Sequence, residues 1–492
     1  MAGLFYGIQI AKSALNVSQQ ALNLTGHNIS NVNTVGYTRQ RIIQASIDPS
    51  NGLSRVSMVS KGAVGGGVSV ALIDQVRSDY IDRQYRSDNA TLGKYSTRAE
   101  ELEYIETILN EHSDSSISAS LADFFNSLSE LSVNADNSEI RTNVQQNALK
   151  MIETFHHYYN TFTDLQSTYN ESMKVTVGEI NDLLNSITNY NQQVYSYELS
   201  GEQANDLRDK RNVLLDELSG LINITYRENA DGHLIVSCEG TEIINHTTAN
   251  YLTTVTNPST GFYDINYQGT GDPFVYNSGK LQAYKDLRDG STVDNLGIPY
   301  ILNSLNKLAR SLAEEFNAVN STGYTMPFDS VASQTGINFF AIPPGGYGDI
   351  TAGNLSLSAE LLASGNYIAA SDKPIDLSAE STQKGNNVVA LKLAALSERT
   401  DLANVGSFED FLNGTVVQVG IESTTAQALA ASQQAIIDNL EARRQSISGV
   451  SLDEEMVQMI SYQHSYAAAS RVLTAMDEAL EVLINRTGRV GL

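Results

Sequence analysis

Apolar side chains recur at a spacing of three and four residues at both ends of the chain. Near the start, Leu4, Ile8, Ala11, Leu15, Leu22, Ile29 and Val32 fall on one stripe, with Ser18 and Thr25 as its only polar positions. Near the end, Met456, Met459, Tyr466, Leu473, Leu480 and Ile484 repeat the pattern, and Val472, Met476, Ala479 and Leu483 widen it. A stripe repeating every 3.5 residues is a coiled-coil seam, and one such helix cannot bury it alone. The two ends are therefore expected to pack against each other and to carry contacts between subunits. That is the signature of an assembling protein rather than a self-contained catalyst.

Between the ends the period changes several times. The first helix is predicted over residues 4–32, stopping before Gly36, a residue suited to a left-handed cap. Residues 37–42 and the Val68-Ser69-Val70 alternation predict short strands around a flexible Gly65-Gly66-Gly67 turn. Helix returns over 92–109 and again over about 121–131. The longest periodic run then keeps strict 4–3 spacing from Ala148 to Tyr197, with only Gln166 and Thr176 polar. About fifty helical residues make a rod about 75 Å long, so an elongated shape is expected, with Gly178 as a candidate kink.

After a charged helix face at Asp206-Leu207-Arg208-Asp209-Lys210-Arg211, the period switches to two at Ile222, Ile224 and Tyr226. Asp231-Gly232 is a hairpin signal ahead of Leu234, Val236 and Cys238. Strand-like runs at 251–255 and 263–267 follow, then a helix over about 302–319. A Gly-, Pro- and Ser-rich stretch at 324–376 reads as loop with short strands. Helix resumes near Asn387 and dominates from Phe408, and no proline follows Pro374 to interrupt it. Ser451 opens the last helix as an N-cap with Glu454 three residues on, a capping box.

The expected fold is mainly α with inserted β, elongated and multidomain. Residues 1–60 and 450–492 form an inner terminal coiled-coil domain. A helical-bundle second domain takes 61–220 and 385–449 with part of 294–320. A β-rich outer region takes 221–293 and 321–384.

Charge narrows the list of partners. The net charge is −25, which argues against nucleic acid, where binding is driven by phosphate neutralisation, and against an anionic membrane surface. No run of about 18 apolar residues is present, and the first residues lack the basic and apolar regions of a cleavable signal peptide. Cys238 is the single cysteine, so a disulfide within the chain is impossible. Residues 1–47 contain no Asp or Glu. Many copies of such a helix can crowd together without charge repulsion.

Catalytic and ligand-binding patterns are missing. There is no nucleophile elbow, no zinc-protease helix and no Cys-His pairing at ligand spacing. Adjacent His156 and His157 point about 100° apart on a helix and cannot share a metal. Asp206, Asp209, Asp216 and Glu217 are interleaved with Arg208, Lys210 and Arg211, which favours a salt-bridged helix face over a carboxylate pair. No catalytic, cofactor or metal site is expected.

The segment Ala14-Leu15-Asn16-Val17-Ser18-Gln19-Gln20-Ala21-Leu22, followed by Asn28-Ile29-Ser30-Asn31-Val32-Asn33-Thr34-Val35-Gly36-Tyr37-Thr38-Arg39-Gln40, resembles the N-terminal signature of bacterial flagellar axial proteins. The tail from Leu452 to Val457 with Tyr462 to Leu473 is similar to their C-terminal signature. Asn28, Asn31, Gly36, Tyr37, Arg39 and Gln40 are the motif positions. Within the family the hook-associated members match best, through 205–218 and through Phe124-Phe125-Asn126-Ser127-Leu128. The resemblance implies a structural, non-enzymatic subunit at the hook–filament junction, extracellular and exported without a cleaved signal peptide. It also implies a closed ring of copies, contacts with hook protein and with a neighbouring hook-associated junction protein, and an export chaperone for the C-terminal helix. On this reading the terminal heptads stay disordered until subunits dock. Another axial protein, a cell-wall hydrolase on an axial scaffold, and an adhesin with a binding β module are the other readings left open.

Overall fold

The computed structural model describes residues 2–47, 65–109, 116–229, 232–328, 331–376, 383–402 and 405–486, with side chains from residue 5 to residue 484 at the two ends. The side chain of Leu4 and the hairpin residue Asp231 lie outside the described residues.

Helix α1 (Ala2–Ser30) is followed by a turn and by the antiparallel pair β1 (Gln40–Ser46) and β2 (Val68–Gln75). Gln40 faces Gln75 and Ser46 faces Val68, with a register shift between Ile43 and Gln44. The glycine run continues this ladder instead of forming a free turn. Gly66 N donates to Ile47 O (2.8 Å), and Ile47 N donates to Gly67 O (2.9 Å).

Helix α2 (Asp79–Leu109) starts well before Leu92. Its first turns are held by polar contacts of Asp82, Arg86 and Asn89, which leave no apolar period to read. Helix α3 (Ile117–Val133) is capped by Ser116, whose Oγ accepts from Ala119 N at 3.1 Å. Helix α4 (Ser138–Glu198) runs 61 residues and passes Gly178 unbroken. At ~1.5 Å per residue it is about 90 Å long. Its first half buries Val144, Phe155 and Phe162 in one core, and its second half buries Val177, Ile180, Leu184 and Ile187 in another. One helix thus serves as the spine of two cores. Helix α5 (Asn205–Leu221) folds back against α4 and α2.

Strands β3 (Thr225–Glu228), β4 (Leu234–Cys238), β5 (Thr241–Asn245) and β6 (Thr248–Ala249) form an antiparallel meander in chain order. β7 (Leu252–Thr256) and β8 (Tyr263–Tyr267) form a separate antiparallel pair. Together with α5 and the far half of α4 they enclose the second core, where Val236, Ile243 and Ile244 are fully buried. Inside the stretch read as β-rich lies a helix that the pattern did not signal. It is α6 (Lys280–Asp289), short and charged outside, with Leu281, Ala283 and Leu287 buried.

Helix α7 (Ile298–Asn320) begins with a proline in its first turn, where no amide partner is needed. The irregular stretch after it includes β9 (Tyr324–Thr325), α8 (Ala359–Ala363) and β10 (Ala369–Ser371), and β9 pairs with β10. Grouped on sequence with the β-rich region, this stretch sends Phe339, Phe340, Ile350 and Leu355 into the first core instead. Phe339 and Phe340 lie 5.3 and 5.8 Å from the Phe316 ring, and Phe339 lies 5.8 Å from Phe124. Burying two phenylalanines outweighs the missing periodicity. Helices α9 (Val388–Ala394), α10 (Phe408–Ser448) and α11 (Leu452–Arg486) complete the chain. α10 lies along α2, and α11 along α1.

Candidate assembly interface

The two terminal helices pair antiparallel within one chain. Asn28 meets Glu455 at one end, and Gly7 meets Met476 at the other. A Cβ on Gly7 would lie 2.9 Å from Met476 Cε, so the helices are close there. The residues of α1 that are buried are Ala11, Val17, Ser18, Ala21, Thr25 and Asn28. Ala11, Ser18 and Thr25 lie on the predicted stripe, whereas its large members Ile8, Leu15, Leu22 and Ile29, with Val32, are only half-buried. On α11, Met459, Tyr466, Leu473 and Leu480 are half-buried toward the pair, whereas Met456 and Ile484 are 49 % and 69 % exposed.

The pair packs within one chain, and its innermost positions on α1 are mostly small side chains that permit close approach. That closure leaves most of the large apolar groups outside. Val457, Ile460, Val472, Val482 and Leu483 are exposed along α11. Contiguous exposed apolar surface of this kind marks an interaction site.

The motif residues form the joint between this pair and the helical body. Asn28 Nδ2 donates to Gln40 O (2.9 Å) and to Glu455 Oε2 (3.1 Å). Its Oδ1 accepts from Tyr37 Oη (2.7 Å) and Gln40 N (3.2 Å). One buried amide thereby ties α1, the turn, β1 and α11. Gln40 Nε2 donates to Asp206 Oδ1 (2.8 Å), and Gln40 Oε1 accepts from Asn205 Nδ2 (3.2 Å). Arg39 pairs with Glu454 at 2.6 Å, and Arg39 N donates to Ser448 O (2.8 Å). Asn31 Nδ2 donates to His27 O (3.0 Å), closing the end of α1. Gly36 has φ +76, and a Cβ there would lie 2.2 Å from Val213 Cγ2 on α5. Only glycine meets both demands, and the turn is pressed onto α5.

Asp209 is the centre of the second tie. It is 5 % exposed, and its Oδ2 accepts from Thr38 N at 2.9 Å while Oδ1 accepts from Gln75 Nε2 at 2.8 Å. Arg77 lies 3.7 Å from it and 2.5 Å from Asp82. Burial pushes the Asp209 carboxyl up to about 6, against the opposing pull of Thr38, Arg77 and Gln75. Burial, and then the charges of Asp206, Asp209 and Glu455, hold the Tyr37 phenol above its ordinary range, so it acts here as a neutral donor.

Beneath this lies an ionic cluster. Asp216 takes Arg86 at 2.7 Å and Arg444 at 2.6 Å, and Arg444 also meets Glu441 at 2.6 Å and stacks over Tyr85. The charged face read on α5 is therefore divided among other elements. Arg208 pairs with Glu198 and Glu228, and Arg211 pairs with Glu228, while the aspartates serve the turn, α2 and α10. Sequence reasoning did not single out Gln75, Arg77, Asp82, Arg86 or Arg444. Their only signal is a cluster of charges where apolar periodicity lapses.

His156 Nε2 lies 2.9 Å from Leu355 O, and His157 is exposed. Among the described residues no three metal-type ligands converge, and no helix is long and apolar enough to cross a membrane.

Three family models match the chain. Residues 102–340 match the Flagellar hook-associated protein FlgK helical domain. Residues 443–486 match the Flagellar basal body rod FlgEFG protein C-terminal, and residues 8–38 match the Flagella basal body rod protein. Flagellar hook-associated protein 1 of Bacillus subtilis (strain 168) is 31 % identical over 525 residues, covering 99 % of both chains. The protein of that name in Escherichia coli (strain K12) is 24 % identical over 574 residues, covering 97 % of this chain and 99 % of its own. The solved flagellar hook junction protein FlgK from Burkholderia pseudomallei superposes with a TM-score of 0.61 over 74 % of this chain and 100 % of its own, at 14 % identity, a likeness of fold. The near-full-length match to the Bacillus subtilis protein establishes that the chain belongs to the flagellar hook-associated protein 1 family.

Proposed function

We propose that the chain joins hook to filament as one subunit of a closed ring, with the outward-facing rows of α1 and α11 as its inter-subunit contacts. Membership of a family of flagellar structural proteins makes it an exported part of the bacterial flagellum that assembles with hook and axial components. The finer picture is an extracellular subunit without enzymatic activity that binds hook protein, a neighbouring hook-associated junction protein and an export chaperone. Its inner part is the terminal helix pair, its middle the helical body, and its outer part the β-rich region.

The observation that carries this reading is the division of labour on the terminal pair. Small residues close it within the chain, while Met456, Val457 and Ile460 stay exposed beside half-buried Leu15, Leu22 and Ile29. Burial of such side chains on docking is worth ~1.5–3 kcal/mol each. A Met456→Asp, Ile460→Asp double variant should keep the helical content and melting curve of the parent but fail to enter flagella, with unincorporated protein in the medium. Normal incorporation of that variant would overturn the assignment.

A further inference from the structure

The meander β3–β6 meets the far end of α4 through two histidines. His233 leads into β4, and His246 sits in the turn between β5 and β6. Their rings stack 3.9 Å apart with planes 12° apart. Tyr195 of α4 sets its ring edge-on to both, at 5.5 and 5.2 Å. His246 holds φ +55, a left-handed conformation that residues other than glycine seldom adopt. Its carbonyl accepts from Asn191 Nδ2 of α4 (2.7 Å), and Asn191 Oδ1 accepts from Arg211 Nη1 (3.1 Å). His246 Nδ1 is buried without a hydrogen-bond partner among the described residues.

Among the described residues neither ring forms an ion pair with a carboxylate. The charge of Arg211 of α5 acts on His246, and Glu198 of α4 and Glu228 of β3 are engaged by Arg208 and Arg211 at 2.6–3.1 Å. A proton on either ring would sit against another ring and beside Arg211, with no acceptor at Nδ1. We propose that the His233–His246 stack is an acid-sensitive clasp, in which the neutral His246 ring holds the β5–β6 turn onto α4 and its protonation in mildly acidic solution releases it.

Burial, then His233, then Arg211 hold His246 below the usual histidine range. An opened turn therefore takes the proton more readily than the closed one. The clasp is at full strength above the usual histidine range and weakens as pH falls through it. Val236, Ile243 and Ile244 stay in the core, so release is confined to the turn and to the entry of β4.

Amide exchange on the full chain at pH 7.5 and pH 5.0, corrected for intrinsic rates, tests this. The His246 amide, which donates to Leu234 O at 2.9 Å, is the probe. Its protection should fall several-fold at pH 5.0, because the opened turn takes up the proton that the closed one resists. His246→Asn tolerates positive φ and carries no titrating ring, so its protection should not follow pH in this way. Unchanged protection in the parent, or an equal fall in the variant, would overturn the clasp. Should the variant fail to fold, imidazole proton titration of the parent decides. One ring titrating late and coupled to the other supports the clasp, and two ordinary independent titrations overturn it.

Discussion

Replacing Gly36 with alanine should loosen the joint between the terminal pair and the body by a calculable amount. Two effects add. Positive φ in a residue with a Cβ is unfavourable by ~1–2 kcal/mol. The new Cβ, 2.2 Å from Val213 Cγ2, forces a repacking that costs ~1–3 kcal/mol. The sum is ~2–5 kcal/mol of local stability, and the two parts can be separated. Val213→Ala removes the clashing methyls and relieves only the second. Gly36→Ala should therefore cost ~1–3 kcal/mol less on the Val213→Ala background than in the parent. Global unfolding is a poor readout for a chain with two cores, since it need not be two-state. Native-state exchange of the Thr38 and Arg39 amides, which donate to Asp209 Oδ2 and Ser448 O, reports the joint directly. Unchanged protection of these amides in Gly36→Ala would refute the geometry. Complete rescue by Val213→Ala would refute the backbone part, and no rescue would refute the contact.

Asn28→Ala strands Gln40 N and Gln40 O at ~1–3 kcal/mol for each buried group and leaves the Tyr37 hydroxyl only its contact with His27 Nδ1, so calorimetry should show an early transition of the terminal pair well below that of the body. Asp209→Asn tests the buried carboxylate. The folded chain holds the Asp209 proton up to about 6 against a usual 3.8, so more protons are bound folded than unfolded between those values, and stability falls as pH rises through that window, then levels. The contribution is on the order of 3 kcal/mol. Between pH 4.5 and pH 7 about 2 kcal/mol of it is lost, so the opening free energy of the joint, read from exchange of the Thr38 amide and corrected for intrinsic rates, should fall by about that much more in the parent than in the variant, and an equal fall would sink the assignment.

How far the sequence could be read depended on whether burial was periodic. α4 was visible from Ala148 to Tyr197 because its stripe keeps 4–3 spacing, even as it passes from one core to the other, while its first ten residues from Ser138 lay outside that run. α1 was visible as a helix, and its stripe held the buried Ala11, Ser18 and Thr25, but the depth of burial along it did not follow hydrophobicity. Leu15, Leu22 and Ile29 carry the apolar signal, yet Ser18, Ala21 and Thr25 are the buried ones. Hydrophobicity shows which side chains seek burial, and helix approach selects which ones are small enough to be innermost. α6 and the Phe339–Phe340 segment escaped because tertiary partners alone bury them. The joint was half legible: the resemblance marked Asn28, Tyr37, Gln40 and the 205–218 segment, but nothing in their spacing says that Asp209 receives the Thr38 amide. That bond exists only once α5 lies across the turn.

The terminal pair should be firm at one end and loose at the other. A seam of Ala11, Ser18, Ala21 and Thr25 buries little apolar area, and at ~25 cal/mol per Å² it stabilises weakly for its length. What fixes the pair is the hub at Asn28, Tyr37, Arg39, Glu454 and Glu455, where hydrogen bonds and the Arg39 ion pair converge. Away from the hub, α1 and α11 are held chiefly by half-buried side chains, and the exposed apolar row contributes nothing until a neighbour covers it. Exchange protection in the isolated chain should therefore decline along α1 from Thr25 toward Gly7, and along α11 from Met459 toward Met476. In assembled flagella the same amides should become uniformly protected. A flat profile in the monomer would mean that the pair is self-sufficient, and the exposed row would lose its energetic reason to seek a neighbour. A declining profile that assembly leaves unchanged would mean that the row is not the contact.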